Sequence, residues 1–233
     1  MRISAVEVFV VDFFRANFVF VRLETTAGLV GVGEGTVEFA ERAVVEAIEY
    51  LGGSLLGENP FEVDRLVETL NRESYWRTGI IHRSALSAME AALLDIKARA
   101  LGVPVYDLLG GRHRDRIRCY ANGWFAGART PDDFADRARV AVAAGFTALK
   151  WDPFGRAWQS MRRAERHAAI AQVEAVRAAV GPDVDLLIEG HGRFDVPTAI
   201  AVARDIAPFD PLLFEEPLPP ESLEALAAVR RAS

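Results

Sequence analysis

From Arg116 onward the chain repeats one pattern four times: a short β-rich run, a loop, then an amphipathic helical run. IRCYANGWF, FTALKWDPF, DVDLLIEGHG and PLLFEEPLP read as strands. PDDFADRARVAVAAG, SMRRAERHAAIAQVEAVRAAVG, DVPTAIAVARDIAPF and ESLEALAAVRRAS read as helices. A helix between two strands returns the chain to the same end of the sheet, so consecutive units demand parallel strands. The pattern predicts strands near 117–123, 146–151, 185–190 and 211–216. Thr130 and Pro131 mark one helix start and Gly145 its end. Four units make either an open sheet or half of a (β/α)8 barrel, whose usual size is about 250 residues. The last helical run reaches Ser233 without a Gly or Pro stop, which reads as C-terminal truncation.

The first half follows a different rhythm. Residues 1 to 35 alternate in hydropathy, and TTAGLVG places a Gly-containing turn between two β-rich runs, predicting a hairpin or meander. Helices are expected over 38–52, ending at Gly52 and Gly53, and over 60–72. A third is expected over 83–101, stopped by Gly102 and Pro104. This third helix carries small and apolar residues on most faces, so it should be buried nearly all round. Strands followed by helices make an α+β domain over 1–115, ahead of the β-α units over 116–233.

Composition narrows the function classes. The net charge is −6 and there is no basic tail, which disfavours nucleic-acid binding. No apolar run approaches the roughly 20 residues of a membrane span. The N-terminus alternates and contains Asp12, unlike a signal peptide, so a cytoplasmic location is expected. Cys119 is the only cysteine, which forbids an internal disulfide. Its setting in IRCYANG predicts a buried structural thiol. Of 27 basic residues only Lys97 and Lys150 are lysine. A lysine kept against that bias can exchange a proton where arginine cannot.

In parallel α/β architectures the site lies where strands run out at their carboxyl ends. Those positions hold Asn122 and Trp124, then Lys150 and Asp152, then Glu189 and His191, then Glu215 and Glu216. Glu189 and Glu215 each follow a hydrophobic run. Carboxylates on adjacent strand ends repel unless one is protonated or a cation lies between them. Mg²⁺ suits such a place, with Mn²⁺ as an alternative; solvated acids, or acids paired with an arginine such as Arg193, are the plain reading. His191 lies two residues after Glu189 and so faces the same side, as a general acid or base or as an ordinary loop histidine. Lys150 and Asp152 share that spacing. Lys150 is either a base of lowered pKa or a cation paired with Asp152 or a substrate oxygen.

These residues resemble a known group. The acids at 189 and 215, with Glu216 and Pro217 completing EEP, look like the enolase superfamily, mandelate racemase/muconate lactonizing enzyme family. The run ALSAMEAALLDIKARALGVPVYDLLGGRHRDRIRCYANG at 85–123 is similar to that family's join between capping domain and barrel. The resemblance implies an α+β capping domain followed by the first half of a modified TIM barrel. It implies Glu189 and Glu215 as two of three Mg²⁺ ligands, the third belonging to a fifth strand, and a His–Asp base on later strands.

IEGHGRF resembles the galactonate-type acid-sugar dehydratases, which implies His191 as the acid that helps the 3-hydroxyl leave. Lys150 matches the first lysine of a K-x-K motif whose second lysine is Asp152 here. The resemblance then implies dehydration of an aldonic acid to a 2-keto-3-deoxy acid through an enediolate. Asp152, Asn122, Trp124 and, in the capping loop at 12–17, Asn17 would meet the substrate. A small sugar acid is the expected partner, with no nucleic acid or membrane, and a homo-oligomer at full length. The alternatives are a racemase, epimerase or cycloisomerase, or a non-catalytic fragment; the 233-residue chain alone is expected to be inactive.

Overall fold

A computed structural model describes the chain except residues Phe14, Arg15, Ser74, Arg77, Thr78 and Ser233. It divides into two compact units, Met1–Asp115 and Arg116–Ser233.

The first unit opens with an antiparallel meander: β1 (Ile3–Val11), β2 (Phe18–Thr25) and β3 (Val30–Glu34), in that spatial order. Alternation along β2 sends Val19, Val21 and Leu23 into the core, where each is fully buried. Each such side chain contributes about 1.5–3 kcal/mol of transfer free energy. Helices α1 (Glu41–Gly52), α2 (Val63–Glu73) and α3 (Ile80–Leu101) follow, with a 3-10 turn at Gly53–Leu55. The turn continues α1, because Gly53 stays right-handed at φ −55°, whereas Gly102 closes α3 in the left-handed conformation expected of a glycine stop.

Buried Ala85, Leu86, Ala88, Met89, Ala92, Leu93, Ile96 and Ala98 form the core face of α3, while Arg83, Ser87, Ala91 and Arg99 are exposed. The helix is therefore not buried all round: its small residues serve a close approach on one side. β3 supplies the other half of that approach. A Cβ at Gly31 would stand 2.1 Å from the Ala92 carbonyl oxygen, and one at Gly33 would stand 1.9 Å from that of Ala88. The glycines let backbone meet backbone, and the Asp95 carboxylate accepts the outward Val32 N–H at 3.1 Å. After Pro104 comes a short helix, α4 (Val105–Leu108), which the proline pattern did not predict.

The second unit contains α5 (Pro131–Ala143), β4 (Ala148–Trp151), α6 (Arg163–Val180), β5 (Asp185–Glu189), α7 (Val196–Ile206), β6 (Leu213–Glu215) and α8 (Leu223–Ala232). The three strands are parallel, in the order β4-β5-β6. Leu149, Trp151, Leu186 and Ile188 from the sheet pack with Val173 and Val176 of α6 and Val202 and Ile206 of α7. Thr130 and Asp133 form a reciprocal capping box at the start of α5. The Arg177 guanidinium donates to the carbonyls of Phe209, Gly181, Val184 and Asp210, tying the end of α6 to the loops beside it.

Two expectations are corrected here. The strand expected at 117–123 shrinks to one parallel bridge, Ala121 to Leu149. It is held by Ala121 N–H to the Ala148 carbonyl and by Lys150 N–H to the Ala121 carbonyl, each at 2.9 Å. Ile117 and Tyr120 are exposed, so among the described residues no second neighbour completes a ladder on this segment. Cys119, expected to be buried, is exposed for the same reason. No described helix is long and apolar enough to cross a membrane.

Candidate active site

The carboxyl ends of β4, β5 and β6 bring three charged side chains together. Register explains why. Lys150 pairs with Leu187, and Glu189 pairs with Glu215. The two glutamates are thus neighbours at the point where each strand leaves the sheet. Gly190 permits this approach: a Cβ there would lie 2.7 Å from the Glu216 carbonyl oxygen and 3.0 Å from Pro217 Cα. The long Lys150 side chain runs up the ladder and sets its Nζ 2.7 Å from Glu189 Oε2 and 3.0 Å from Glu215 Oε2. The Lys150–Asp152 pairing that spacing allowed does not form. The lysine instead pairs across strands, where two carboxylates need one cation.

Charge and burial act against each other in this cluster. Burial favours a neutral Lys150, but hydrogen bonds and attraction from Glu189 and Glu215 outweigh it and hold the ammonium above the ordinary lysine range. Burial likewise opposes ionisation of Glu189. The Lys150 ammonium, the His191 backbone N–H and nearby positive charge outweigh that and keep this carboxylate below its usual range. Lys150 is therefore a cation in this arrangement, paired with the two glutamates. The Glu189 side chain is only 7% exposed, and its Oε1 accepts the His191 N–H at 2.8 Å.

Past Glu189 the backbone turns sharply. His191 and Gly192 both adopt positive φ, 50° and 62°, as does Glu216 at 40°. For a non-glycine residue that conformation costs roughly 1–2 kcal/mol. The turns are held by a continued parallel ladder, with Gly190 N–H donating to Glu215 O, Gly192 N–H to Glu216 O and Phe194 N–H to Pro217 O. Glu216 has an exposed side chain, and its backbone carries the structural hydrogen bond.

Beside the glutamates lies a second group. Asp152 Oδ1 accepts from Phe154 N–H at 2.8 Å, while Oδ2 lies 2.7 Å from His191 Nδ1 and also accepts from Arg193 Nη2. Arg193 was visible only as a possible partner of the acids. It is buried, at 8% exposure, and also donates to the carbonyls of Gly190 and Gly155. The i, i+2 spacing from His191 and the buried Phe194 after it were the signals that could have placed it.

The other sequence candidates make contacts of their own. The Asn122 side chain is exposed and accepts the Gly123 N–H at 2.8 Å. Trp124 donates its indole N–H to the Lys150 carbonyl at 3.0 Å and packs edge-on against Trp151 and Phe134. Asn17 belongs to the first unit, where its N–H donates to Glu41 Oε1 at 3.3 Å. Phe14 and Arg15 of the same loop lie outside the described residues.

Two carboxylates converging on one positive charge are the donor chemistry a hard divalent cation takes, and here an ammonium supplies that charge. They account for two of the roughly six oxygens Mg²⁺ prefers. Among the described residues no group of three or more His, Cys, Asp or Glu side chains is placed to hold a metal ion.

Comparison with known proteins places these residues in context. Residues 5–110 match the mandelate racemase/muconate lactonizing enzyme N-terminal domain, and residues 133–233 match the enolase C-terminal domain-like family. D-gluconate dehydratase of Thermoproteus tenax is 41% identical over 213 residues, covering 91% of this chain and 43% of that enzyme. D-galactonate dehydratase of Verminephrobacter eiseniae is 39% identical, covering 89% and 54%. A crystal structure of a member of the enolase superfamily from Salmonella Typhimurium superposes with a TM-score of 0.94 at 29% identity, covering 99% of this chain and 65% of the other. The chain spans about half the length of the curated relatives it matches.

Proposed function

Because this chain belongs to the mandelate racemase/muconate lactonizing enzyme family of the enolase superfamily, we propose that it serves the dehydration of a sugar acid such as gluconate or galactonate. The observation that carries this reading is the convergence of Glu189 and Glu215 on one cation, with the half-exposed His191 ring attached to the same turn.

Glu189 and Glu215 would hold a divalent cation, which when bound neutralises charge developing on the substrate carboxylate. The chain's own residues then have distinct tasks. His191 presents its ring beside that place and donates a proton to the departing 3-hydroxyl. Loss of the C2 proton and the C3 hydroxyl gives an enol, which becomes the 2-keto-3-deoxy acid. Lys150, charged and held by both glutamates, is suited to binding anionic oxygen and unsuited to accepting the C2 proton. A two-base racemase is less well supported, because Asp152 occupies the second lysine place and both its oxygens are already engaged. Assembly into a homo-oligomer and a cytoplasmic location belong to the same proposal.

Gluconate and galactonate are the first substrates to test, on the full-length protein beside the 233-residue chain, with product measured as 2-keto-3-deoxy acid in the presence of Mg²⁺. In the full-length protein, His191→Asn should abolish dehydration while C2-proton exchange with D₂O persists in part. Equal loss of both would assign His191 to proton removal instead. Calorimetry should show Mg²⁺ affinity falling in Glu189→Gln and Glu215→Gln; unchanged affinity in both would remove the metal assignment.

A further inference from the structure

The ring of His191 meets a carboxylate and a guanidinium at the same nitrogen. Nδ1 lies 2.7 Å from Asp152 Oδ2 and 3.0 Å from Arg193 Nη2. A carboxylate oxygen only accepts and a guanidinium nitrogen only donates, so the two neighbours ask for opposite tautomers. The carboxylate is the closer, and Arg193 Nη2 already has an acceptor in the same Oδ2. Nδ1 therefore carries the hydrogen, and the guanidinium sits beside it because both donors share one oxygen. Nε2 is left with its lone pair and has no hydrogen-bond partner among the described residues, on a side chain 52% exposed.

The group that fixes this arrangement is buried. Arg193 reaches three acceptors at once: Gly190 O at 2.9 Å, Gly155 O at 2.9 Å and Asp152 Oδ2. Those acceptors come from the turn after β5 and the loop after β4. The same two segments are joined again by Gln159 N–H to Arg193 O and by Asp195 N–H to Gln159 O. Asp152 is thus held on both oxygens, by Arg193 on one side and by Phe154 N–H on the other.

We propose that Arg193 is a positioning residue, which through Asp152 keeps the hydrogen of the neutral His191 ring on Nδ1 and presents Nε2 outward as the atom that takes up a proton and hands it on to the departing hydroxyl. Asp152, in this assignment, is part of the clamp and does not contact substrate. The assignment rests on His191 being the proton-handling residue of the site proposed above. A planar fork is needed because three acceptors in three directions must be met together. A lysine at 193 supplies charge and cannot span them. The orienting of an imidazole by a hydrogen bond to its other nitrogen is a general device.

The test is a long-range ¹⁵N–¹H correlation spectrum of the labelled 233-residue chain, recorded where the imidazoles are neutral. The chain has four histidines, and His191→Asn identifies the signals of interest by their loss. The wild-type ring should show a protonated Nδ1 and an unprotonated Nε2. Arg193→Met should lose that pattern in favour of the Nε2–H form, and Arg193→Lys should shift the same way to a smaller extent. If Arg193→Met fails to fold by circular dichroism, Arg193→Lys and Asp152→Asn carry the comparison. A wild-type ring protonated at Nε2 would overturn the proposal. So would an unchanged Nδ1–H pattern in folded Arg193→Lys and Asp152→Asn. The readout needs no turnover: an Nδ1–H ring, together with a full-length protein that dehydrates no sugar acid, sinks the dehydratase reading and leaves the clamp standing.

Discussion

Glu189 and Glu215 are direct partners across the β5–β6 ladder, and both carboxylates turn to a single ammonium, that of Lys150. Two like charges on adjacent strand ends repel, and the repulsion is strongest where water is excluded. Lys150 removes it with the one strongly basic side chain that ends in a compact point charge. Its scarcity in an arginine-rich chain fits that task, since a planar fork would not enter the space between two convergent carboxylates.

Lys150→Met tests this directly. The variant leaves two carboxylates without their shared cation, and removing one member of a buried ion pair costs roughly 3 kcal/mol or more. Glu215 is about one-third exposed, so solvent screening should bring the loss toward the lower part of that range. Urea denaturation should show a reduced midpoint. Mg²⁺ should restore stability to the variant more than it stabilises wild type, because the vacated positive charge is what the cation replaces. A variant with unchanged midpoint, indifferent to Mg²⁺, would mean that the glutamates do not depend on a shared cation.

Gly33→Ala should be among the most damaging single-methyl additions in the first unit. The new Cβ would fall 1.9 Å from Ala88 O and 3.1 Å from Ala92 N, both backbone atoms of α3. Neither can rotate away, so β3 and α3 must separate along their length, and overpacking of this kind costs about 1–3 kcal/mol or more. Thermal unfolding monitored by circular dichroism should shift down by several degrees. Gly28→Ala, at an open turn where a Cβ meets nothing within 4 Å, loses only the backbone freedom needed at φ 77° and should shift it less.

Much of this molecule was legible in its residues, for identifiable reasons. Thr130, Pro131 and Gly145 bracket a helix because capping and backbone freedom are local properties, and α5 forms between them. Glu189, His191 and Glu215 were placed at strand ends because apolar runs must stop where the sheet meets solvent. The segment at 117–123 was not legible. Its residues favour a strand, but a strand needs a partner along its length, and only Ala121 has one. Arg193 was missed because its role depends on acceptors from two other segments. No local pattern announces that Gly155 O and Asp152 lie within reach of a buried guanidinium.

The capping box at Thr130 and Asp133 predicts a measurable dependence on pH. Hydrogen bonds from the backbone of Thr130 and Arg129 and from the Thr130 hydroxyl hold the Asp133 carboxyl below its ordinary value of 3.8. A group whose pKa is depressed on folding stabilises the fold above its unfolded pKa. That contribution disappears as pH falls through 3.8 toward the lower folded value. Asp133→Asn should therefore flatten the acid limb of the stability curve, with stability read from urea midpoints between neutral pH and the acid region. Thr130→Ala should cost about 1 kcal/mol at neutral pH. An acid limb identical in wild type and Asp133→Asn would show that the cap does not titrate with folding.

Gly190→Ala joins the fold to the site. Gly190 has an ordinary negative φ, so backbone conformation does not require glycine there; the crowding does. A Cβ would stand 2.7 Å from Glu216 O, 3.0 Å from Pro217 Cα and 3.1 Å from Glu215 O. All three are backbone atoms of the segment that carries Glu215. The methyl therefore pushes the end of β6 away from the end of β5 and parts the two glutamates from their shared cation. Two effects should appear together: a lower thermal midpoint, and a weaker Mg²⁺ signal in calorimetry than wild type gives. Glu216→Ala provides the control, since its side chain is exposed and only its backbone carbonyl is used. Loss of stability with full retention of Mg²⁺ binding in Gly190→Ala would separate the close approach of the strands from the arrangement of the carboxylates.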